Sequence, residues 1–386
     1  MQPKKALEIW RKACEKYNIR WCLYKETLLC EMTLNGFHPD LEYGHVAVCE
    51  DDIEIIKSKV VPFFDLGDII LTKEKDNESL LKCQDEIILS ISLIKSESLQ
   101  TEEKEYPILK DWKSYLLENY GDYENGMRDE VGVGLTQEEK VELIRHQKKC
   151  LEALEFLKKT ADENGLTYYL LAGSVLGCVR HSGWIPWDDD IDVGIRIEDI
   201  DIFEKVLKEK IKTDLPEGFT LEVAEADRNY PRMFSKICYK GRCCIDLWPL
   251  VPTYYQGIKP KLVWYFGKMI AKMHYYKIGL RNLKFLPIVR FLCLFLTDKK
   301  IMKLSKHNER RFVKDNAPAY INLYSVYSMR KETIDRNWLD ESVTMNFEGI
   351  EVPVVGHTHE YLSQLYGDYM KLPPPWNRGS RHTELF

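Results

Sequence analysis

Apolar and polar residues alternate along the segment that ends at Ile195, and this alternation predicts a β-strand. Asp190 and Asp192 would share one face of that strand, because side chains repeat every two residues. Two carboxylates held side by side repel each other unless a cation lies between them. Hard oxygen ligands of this kind suit Mg²⁺ or Mn²⁺, and the apolar flanking residues argue against an acidic loop in solvent. The pattern therefore predicts a metal site.

A second apolar, β-prone run, residues 243–250, contains one acid, Asp246. A buried, unpaired carboxylate is costly, so Asp246 needs a metal or another partner, unless it only caps the end of the strand. The preceding run 233–239 and the turn at Lys240 and Gly241 predict a hairpin that leads into this strand. Asp246 is therefore the candidate for a third acid.

A strand, a tight turn and a helix are predicted around Gly173 and Ser174, between the apolar runs 168–172 and 175–179. Such a turn aims free backbone N–H groups at an anion. Basic residues that could hold further phosphate charge are Arg180, His181, Arg228, Arg232 and Lys236. Each alone is as well explained as a surface charge, and only the whole set indicates a phosphate site.

Three segments resemble the motifs of the LicD family, which includes the fukutin-type transferases. Residues 173–192 read GSVLGCVRHSGWIPWDDDID and resemble the family signature. Residues 245–250 read IDLWPL and resemble its third-acid motif. Residues 366–374 read YGDYMKLPP and, with Arg378 and His382 after them, resemble its C-terminal motif. The resemblance covers residues 139–386.

The resemblance implies an α/β fold, with a nucleotidyltransferase-like mixed sheet flanked by helices. It also implies Mg²⁺-dependent transfer of a phospho-alcohol from a CDP-activated donor. Phosphocholine is the expected transferred group, and phosphoribitol and phosphoglycerol are the alternatives. The expected acceptor is a cell-surface glycan (lipopolysaccharide, teichoic acid or capsule) or its lipid-linked precursor. The implied metal ligands and catalytic acids are Asp190, Asp192 and Asp246. Together with the basic residues above, the donor-binding candidates are Gly173, Ser174, Arg180, Arg232, Lys236 and His382.

The expected chemistry is an in-line displacement at phosphorus. Metal ions would bridge the diphosphate and neutralise charge on the departing CMP while the acceptor hydroxyl attacks. One of the acids would accept the hydroxyl proton, and Asp246 is preferred because it comes from a separate strand. A covalent phospho-enzyme on His181 is the alternative.

The first 123 residues align with later parts of the chain. A shift of 147 positions places residues 6–53 on 153–200 without a gap. A shift of 246 positions places 120–123 on 366–369, and both segments read YGDY. Two matches in the same order predict a duplication whose N-terminal copy is shortened in the middle. An unrelated α+β domain is the alternative.

The N-terminal copy lacks the residues that carry the chemistry. Glu26 and Thr27 stand in place of the Gly-Ser pair, Tyr43 and His45 in place of the acid pair, and Ser92 in place of the third acid. Without those acids there is no Mg²⁺ site, and a glutamate in the turn would repel a diphosphate. The prediction is a pseudo-nucleotidyltransferase domain that supports or positions the active one.

The chain has 386 residues, of which 45% are hydrophobic, and is long enough for two folded domains. We predict a degenerate domain at 1–123, a linker at 124–138 and a catalytic domain at 139–386. Thr136 and Glu139 predict a capping box that starts a helix through about Lys159.

The net charge of −6 conceals a basic segment, 259–311, with 14 lysines and arginines and two acids. Its aromatic and apolar runs, 262–266 and 285–296, suit an interfacial helix on anionic lipid, although the longer run is too short to span a bilayer. The preferred alternative is a helical subdomain with solvated lysines. Nothing else in the sequence favours nucleic acid.

The sequence favours a location in a reducing cytoplasm. It has eleven cysteines without zinc spacing, and it starts with a charged amphipathic segment instead of a secretory signal. Peripheral contact with the inner membrane face is an option.

Two other functions are possible from the sequence. A different nucleotidyltransferase reaction would consume CTP or ATP and release pyrophosphate, whereas a scaffold protein would show no thermal shift with Mg²⁺ and nucleotide. Aromatic candidates for a choline ammonium are Trp184, Trp187, Tyr230, Trp248 and Trp376.

Overall fold

A computed structural model describes residues 2–34, 38–39, 41–64, 69–75, 77–83, 86–102, 104, 106–120, 135–223, 233–277 and 296–378. The chain divides into two compact units, one of residues 1–140 and 373–379 and the other of 141–372 and 380–386. The sequence prediction placed 373–379 in the catalytic domain instead. The segment belongs to the first unit because Trp376 packs against its hydrophobic core, with its ring 5.2 Å from that of His38.

The first unit begins with an amphipathic helix and continues into a small sheet. Its described helices are α1 (Pro3–Tyr17), α2 (Lys25–Leu34), α3 (Ile53–Ile55) and α4 (Trp112–Tyr120). Its strands are β1 (Trp21–Leu23), β2 (Gly44–Cys49), β3 (Ile69–Lys75), β4 (Glu78–Cys83), β5 (Glu86–Ile94), β6 (Thr101–Glu102) and β7 (Ile108–Leu109). Irregular helical turns at 50–52 and 56–64 surround α3.

The sheet of the first unit has the strand order β1-β2-β5-β4-β3. Strands β2 and β5 are parallel, and the other neighbours are antiparallel. The buried face of α1, with Leu7 and Trp10, joins the hydrophobic core of this unit. The helical turns at 50–64 connect β2 to β3, and antiparallel pairing through β4 then brings β5 parallel to β2.

The second unit contains the longest helix of the described chain. Its helices are α5 (Gln137–Asn164, which begins in the first unit), α6 (Ala172–His181), α7 (Ile200–Asp214), α8 (Ile258–Lys277), α9 (Asp298–Glu309), α10 (Met329–Glu332), α11 (Arg336–Asp340) and α12 (Thr358–Tyr366). Its strands are β8 (Tyr169–Leu170), β9 (Ile191–Arg196), β10 (Phe219–Glu222), β11 (Ser235–Tyr239), β12 (Arg242–Thr253), β13 (Ala319–Asn322), β14 (Thr333–Asp335), β15 (Val343–Phe347) and β16 (Ile350–Val354).

The sheet of the second unit runs β10-β11-β12-β9-β8-β16-β15, and β13 and β14 continue from β12. Strands β9 and β12 are parallel, whereas β8–β9, β11–β12 and β10–β11 are antiparallel. Helices and loops pack on this sheet through a core that includes Phe156, Phe203 and Leu362. The predicted α/β class, a mixed sheet flanked by helices, is confirmed.

Local sequence signals coincide with the observed element boundaries. The Thr136 N–H donates to Oε2 of Glu139 at 2.5 Å, and the Glu139 N–H donates to the threonine hydroxyl at 3.3 Å, as a capping box requires. Lys240 and Gly241, with φ of 49° and 81°, form the turn between β11 and β12, because a tight hairpin turn favours positive φ at both positions.

The predicted basic segment 259–311 is helical where it is described, in α8 and α9. Most of its apolar run 285–296 lies outside the described residues. Within the described ranges, no helix combines the length and the apolar character needed to cross a bilayer.

Candidate active site

The three predicted acids come together on neighbouring parallel strands. Asp192 on β9 lies directly opposite Asp246 on β12. Asp190 immediately precedes β9. Ligand atoms of Asp190, Asp246 and Cys243 lie within 4.8 Å of one another. The local alternation therefore provides one half of the acid cluster, and the pairing of two strands more than 50 residues apart provides the other.

Asp246 is buried and has two close partners. The Nζ atom of Lys236, on the antiparallel strand β11, lies 2.7 Å from its Oδ1 atom. The Cys243 thiol donates to the same oxygen at 2.9 Å. A regular strand would point residues 243 and 246 to opposite faces, but the register shifts at Cys238, which is the mark of a bulge and accounts for the contact.

Asp192 is held by contacts on its backbone and its carboxylate. Its N–H donates to the Ser174 hydroxyl oxygen at 2.8 Å, and Trp248 Nε1 donates to its Oδ1 at 2.7 Å. Burial, followed by the charge of Asp246, raises the pKa of Asp192 to about 6, while the Trp248 bond and Lys236 oppose the shift. The carboxylate is thus rigidly positioned and poorly compensated.

The negative charge of the Asp190 carboxylate is strongly disfavoured by its surroundings. Its pKa is raised well above the usual value for an aspartate, first by burial and then by the charges of Asp192 and Asp246. The neighbouring Asp189 is also buried, and its Oδ1 has no hydrogen-bond partner among the described residues. Several carboxylates converge around one lysine, so a hard divalent cation fits this cluster, with Asp190, Asp192 and Asp246 as the residues that would hold it.

Gly173 and Ser174 lie between a strand and a helical segment as predicted, but the helix already begins at Ala172, so both are in its first turn, and their N–H groups have partners. The Ala172 N–H donates to the Tyr361 hydroxyl at 2.9 Å, and the Ser174 N–H donates to the Leu171 carbonyl at 3.0 Å. The Gly173 N–H bonds the Asp192 carboxylate. The expectation of free N–H groups is therefore wrong for the described conformation, because this turn is used to anchor Asp192.

Position 173 has little room for a side chain. A Cβ atom built there would lie 3.0 Å from Oδ2 of Asp188. A side chain at position 173 would thus crowd the Asp188 carboxylate. The glycine of the motif leaves room for the carboxylates.

The basic candidates separate into different environments. Lys236 contacts Asp246, as described above. The Arg180 Nη1 donates to the Tyr369 carbonyl at 3.0 Å, and its Nε donates to Nε2 of His181 at 2.9 Å. Arg228, Arg232 and His382 lie outside the described residues. Lys236 is therefore a basic candidate that directly contacts an acid of the cluster.

One face of α5 holds the backbone of the acid-bearing segments. Gln147 Nε2 donates to the Asp188 carbonyl at 2.8 Å, and His146 Nε2 donates to the Cys243 carbonyl at 2.7 Å. The Cys150 thiol approaches the Asp189 carbonyl at 3.7 Å. Sequence analysis missed this network, since its only local signal is the spacing of these residues on one helical face.

Sequence analysis also missed a further buried acidic residue, Glu332. Glu332, at the end of α10, is buried, and its pKa is raised to about 7, first by burial, with a further contribution from the charge of Asp192. The Ser325 hydroxyl and Lys268 oppose this shift. Nothing in the surrounding sequence, MRKET, separates this glutamate from a surface residue.

The C-terminal motif and helix α12 before it contact α6, the helix whose first turn contains Gly173 and Ser174. The Tyr361 hydroxyl on α12 accepts from Ala172 at the start of α6, and the Tyr369 carbonyl accepts from Arg180 near its end. Helix α12 ends at Tyr366, and Gly367 follows with φ of 75°. The motif thus supports the end of α6, and helix α12, which leads into the motif, supports its start.

Comparison with known proteins agrees with this arrangement. The domain described as LicD/FKTN/FKRP, nucleotidyltransferase domain, matches residues 165–291. The lipopolysaccharide cholinephosphotransferase LicD of Haemophilus influenzae is 25% identical over 268 residues, which are 64% of this chain and 97% of that protein.

Two human relatives match shorter regions. The ribitol 5-phosphate transferase FKRP is 32% identical over 120 residues, which are 30% of this chain and 23% of that protein. The ribitol-5-phosphate transferase FKTN is 36% identical over 59 residues, which are 15% of this chain and 13% of that protein. Among solved structures, the Megavirus polyadenylate synthase is 12% identical, covers 86% of this chain and 74% of its own, and has a TM-score of 0.22, too low to bear on the fold. Residues 165–291 thus match the LicD/FKTN/FKRP nucleotidyltransferase domain, and the chain is similar to phosphotransferases of the LicD/fukutin type.

Proposed function

We propose that the chain transfers a phospho-alcohol, with phosphocholine preferred, from a CDP-activated donor to a hydroxyl of a cell-surface glycan or its lipid-linked precursor. The observation that carries the proposal is the register of β9 and β12, which sets Asp192 opposite Asp246 and leaves Asp190 beside them. Relatives named as cholinephosphotransferase and ribitol-phosphate transferases support the same reaction class.

The acidic residues have two proposed roles, which are to bind the metal ion and to accept the proton of the acceptor hydroxyl. A bound Mg²⁺ or Mn²⁺ would supply electrostatic stabilisation of the diphosphate. Asp190, Asp192 and Asp246 would hold it, and Lys236 keeps Asp246 oriented. Because Lys236 and Cys243 both contact Oδ1 of Asp246, a proton from the acceptor hydroxyl would go to its Oδ2.

Donor binding by Gly173, Ser174, Arg180, Arg232 and His382 remains a prediction. The aromatic ring pair beside the acids supports choline as the alcohol. Trp248 donates to Asp192, and its ring centroid lies 3.7 Å from that of Phe234. Lys236 Nζ lies 5.4 Å from the Phe234 centroid, so this ring already accepts a cation.

Phosphorus NMR of the purified protein with Mg²⁺ and CDP-choline, CDP-ribitol or CDP-glycerol tests the proposal. Water replaces the acceptor poorly, so we expect slow, metal-dependent CMP release from one donor, with CDP-choline fastest. The Asp190→Ala/Asp192→Ala variant should give none. No CMP from any donor, together with pyrophosphate from CTP or ATP, would replace this reaction with nucleotidyl transfer.

The proposed acceptor implies a cellular location for the protein. A lipid-linked glycan precursor is reached at a membrane surface, so we propose a cytoplasmic protein in peripheral contact with the inner membrane face through the basic segment 259–311. A nucleic-acid partner is not part of the proposal.

We also propose that the first unit is a degenerate copy of the catalytic fold. The order and directions of β1-β2-β5-β4-β3 equal those of β8-β9-β12-β11-β10. Positive φ recurs at Lys25 and Ala172, which are 147 positions apart. Helices α4 and α12 have the same bounds once shifted by 246. These coincidences support the duplication predicted from the sequence.

Hydrogen bonds recur at the same shift of 147. The His45 N–H donates to the Thr27 hydroxyl at 2.7 Å, as the Asp192 N–H does to Ser174 at 2.8 Å. The register corrects one detail, because Ser90 lies opposite His45, whereas Ser92 lies opposite Ala47. Ser90 is thus the counterpart of Asp246.

Acidic and basic side chains of the copy contact one another at its centre. His45 Nε2 lies 3.2 Å from Oε2 of Glu26, and Lys25 Nζ lies 2.7 Å from Oε1 of Glu78. Burial lowers the pKa of His45. Glu78 therefore has a cationic partner, whereas Glu26 faces an imidazole whose lowered pKa favours the uncharged form. Among the described residues of this unit, the positions of Asp190, Asp192 and Asp246 are occupied by Tyr43, His45 and Ser90.

A matched pair of substitutions tests whether the copy is inert. Glu26→Gly/Tyr43→Asp in the first unit should leave the KM for the donor and the CMP release rate unchanged within about twofold, because no metal ligand is removed. The counterpart Gly173→Glu should abolish release, since it adds a carboxylate beside Asp188. A shift of KM by the first variant, with its circular dichroism unchanged, would show that the copy takes part in donor binding.

A further inference from the structure

Helix α8 presents two apolar faces. One face is buried and contributes Val263, Trp264 and Ile270 to the hydrophobic clusters beneath the helix. The other face is open and carries four large apolar residues, here called the α8 stripe: Ile258, Leu262, Tyr265 and Phe266, with exposed fractions of 74%, 60%, 68% and 38%. Their spacing of four, seven and eight positions places them on one side of a helix.

The α8 stripe differs from ordinary surface exposure. Single exposed apolar residues are normal, but a contiguous patch marks an interaction site. No other described helix exposes more than two large apolar side chains. The stripe also contains no acidic residue.

The charge around the stripe has one sign. The helix contains five lysines and no acid. Lys259 and Lys261 are exposed and, at 100° per residue, flank the stripe on opposite sides. Lys268 is turned away, with Nζ 4.2 Å from the Trp264 ring centroid. Apolar residues bordered by lysines match an anionic lipid surface, where the side chains enter the acyl boundary and the ammonium groups stay among the head groups.

Self-association fits the same face less well. A two-fold contact through the stripe would bring the lysines of one copy against those of the other, with no acid on either helix to compensate. Like charges facing each other across an interface oppose binding. The charge pattern therefore favours lipid over a second copy.

We propose that the α8 stripe docks the protein on anionic membranes as an interfacial helix. The inference deepens the proposed function, since it names the surface on which a lipid-linked acceptor would be met, and for that purpose it rests on the proposed transfer. The docking itself needs neither donor nor acceptor, so the two can fail separately.

Co-sedimentation of the full chain with vesicles tests the docking. The vesicles contain phosphatidylcholine alone or an equal mixture with phosphatidylglycerol, at low and at physiological salt. We expect binding to the mixture to exceed binding to pure phosphatidylcholine by about tenfold or more and to weaken with salt. Leu262→Glu/Tyr265→Glu should lower it by about tenfold or more, and Lys259→Gln/Lys261→Gln should lower it for the anionic vesicles only.

Ile202→Glu on α7 is the matched control, because Ile202 is 57% exposed but stands alone on its helix. It should bind like the wild type. Equal binding by the stripe variant, or an equal loss in the control, would overturn the docking. A third result would also overturn it. The wild type would be a dimer by light scattering, the stripe variant would be a monomer, and neither protein would bind vesicles.

CMP release from a soluble donor separates the two proposals. It should be the same in the wild type and in Leu262→Glu/Tyr265→Glu. Vesicle binding without CMP release by the wild type would remove the proposed transfer and leave the docking standing.

Discussion

Replacing Asp192 with asparagine is expected to abolish metal-dependent CMP release and, at the same time, to stabilise the metal-free protein above pH 6. Asparagine retains an oxygen that can accept from Trp248 and a backbone N–H for Ser174, so the local geometry is kept. The lost charge removes a metal ligand. We expect release to fall by about a thousandfold or more, since electrostatic stabilisation of the transferred group is the largest contribution in such reactions.

The stability effect follows from the raised pKa of Asp192. Its ordinary value is 3.8, and in the folded chain it is about 6. Below pH 3.8 both states are protonated and the contribution to stability is fully present. Between pH 3.8 and 6 the unfolded state ionises first, so the wild type loses stability as pH rises, by about 3 kcal/mol. Asparagine does not titrate and is spared this loss.

Urea unfolding at pH 5 and pH 8 in EDTA, with and without excess Mg²⁺, measures the effect. The variant should gain over the wild type at pH 8 but much less at pH 5, and Mg²⁺ should stabilise only the wild type. Asp162→Asn, an exposed acid paired with Lys158 on α5, is the control and should change neither profile. Wild-type CMP release in Asp192→Asn would rule out the acid pair as the metal centre.

Removing Lys236 is expected to cause the second-largest change, and the loss should depend on metal. Lys236→Met deletes the cation that lies 2.7 Å from the buried Asp246 carboxylate. Breaking a buried ion pair from one side costs about 3 kcal/mol or more, because the remaining charge is left uncompensated. A divalent cation bound by the same acids would replace that positive charge, so saturating Mg²⁺ should restore much of the stability.

Thermal unfolding of Lys236→Met in EDTA and in Mg²⁺ checks this expectation. Lys240→Met, in the exposed hairpin turn of the same strand pair, is the control and should shift stability by only about 0.5 kcal/mol in either condition. The double variant Lys236→Met/Asp246→Asn should recover part of the loss without metal. An equal loss with and without Mg²⁺ would mean that the lysine acts through packing alone.

Several elements of the site could be predicted because their signals are local. Alternation around Asp190 and Asp192 depends on neighbours two positions away, as does the hairpin turn at Lys240 and Gly241. The capping box at Thr136 and Glu139 depends on neighbours three positions away. The Gly-Ser turn was placed correctly, but its N–H groups were assigned to a ligand instead of to Tyr361 and Asp192.

The prediction of basic residues shows where local reasoning ends. Arg180 and Lys236 were equally plausible phosphate ligands in the sequence. The fold turns Arg180 toward the Tyr369 carbonyl and brings Lys236 against Asp246. Which groups each of these two cations contacts depends on strand register and helix packing, and neither is encoded within a short window.

The sequence by itself determined the types of element in the catalytic unit, the face that carries the acid pair and the family resemblance, because these depend on periodicity and contiguous motifs. Tertiary structure alone decided that Asp192 faces Asp246, that a bulge turns Cys243 toward that acid, and that Gln147 and His146 hold the acid-bearing backbone. The reason is physical. Local patterns arise from dihedral preferences of adjacent residues, whereas these contacts join residues 41 to 97 positions apart (Asp246 with Cys243 excepted) and exist only once the sheet register and the packing of α5 are set.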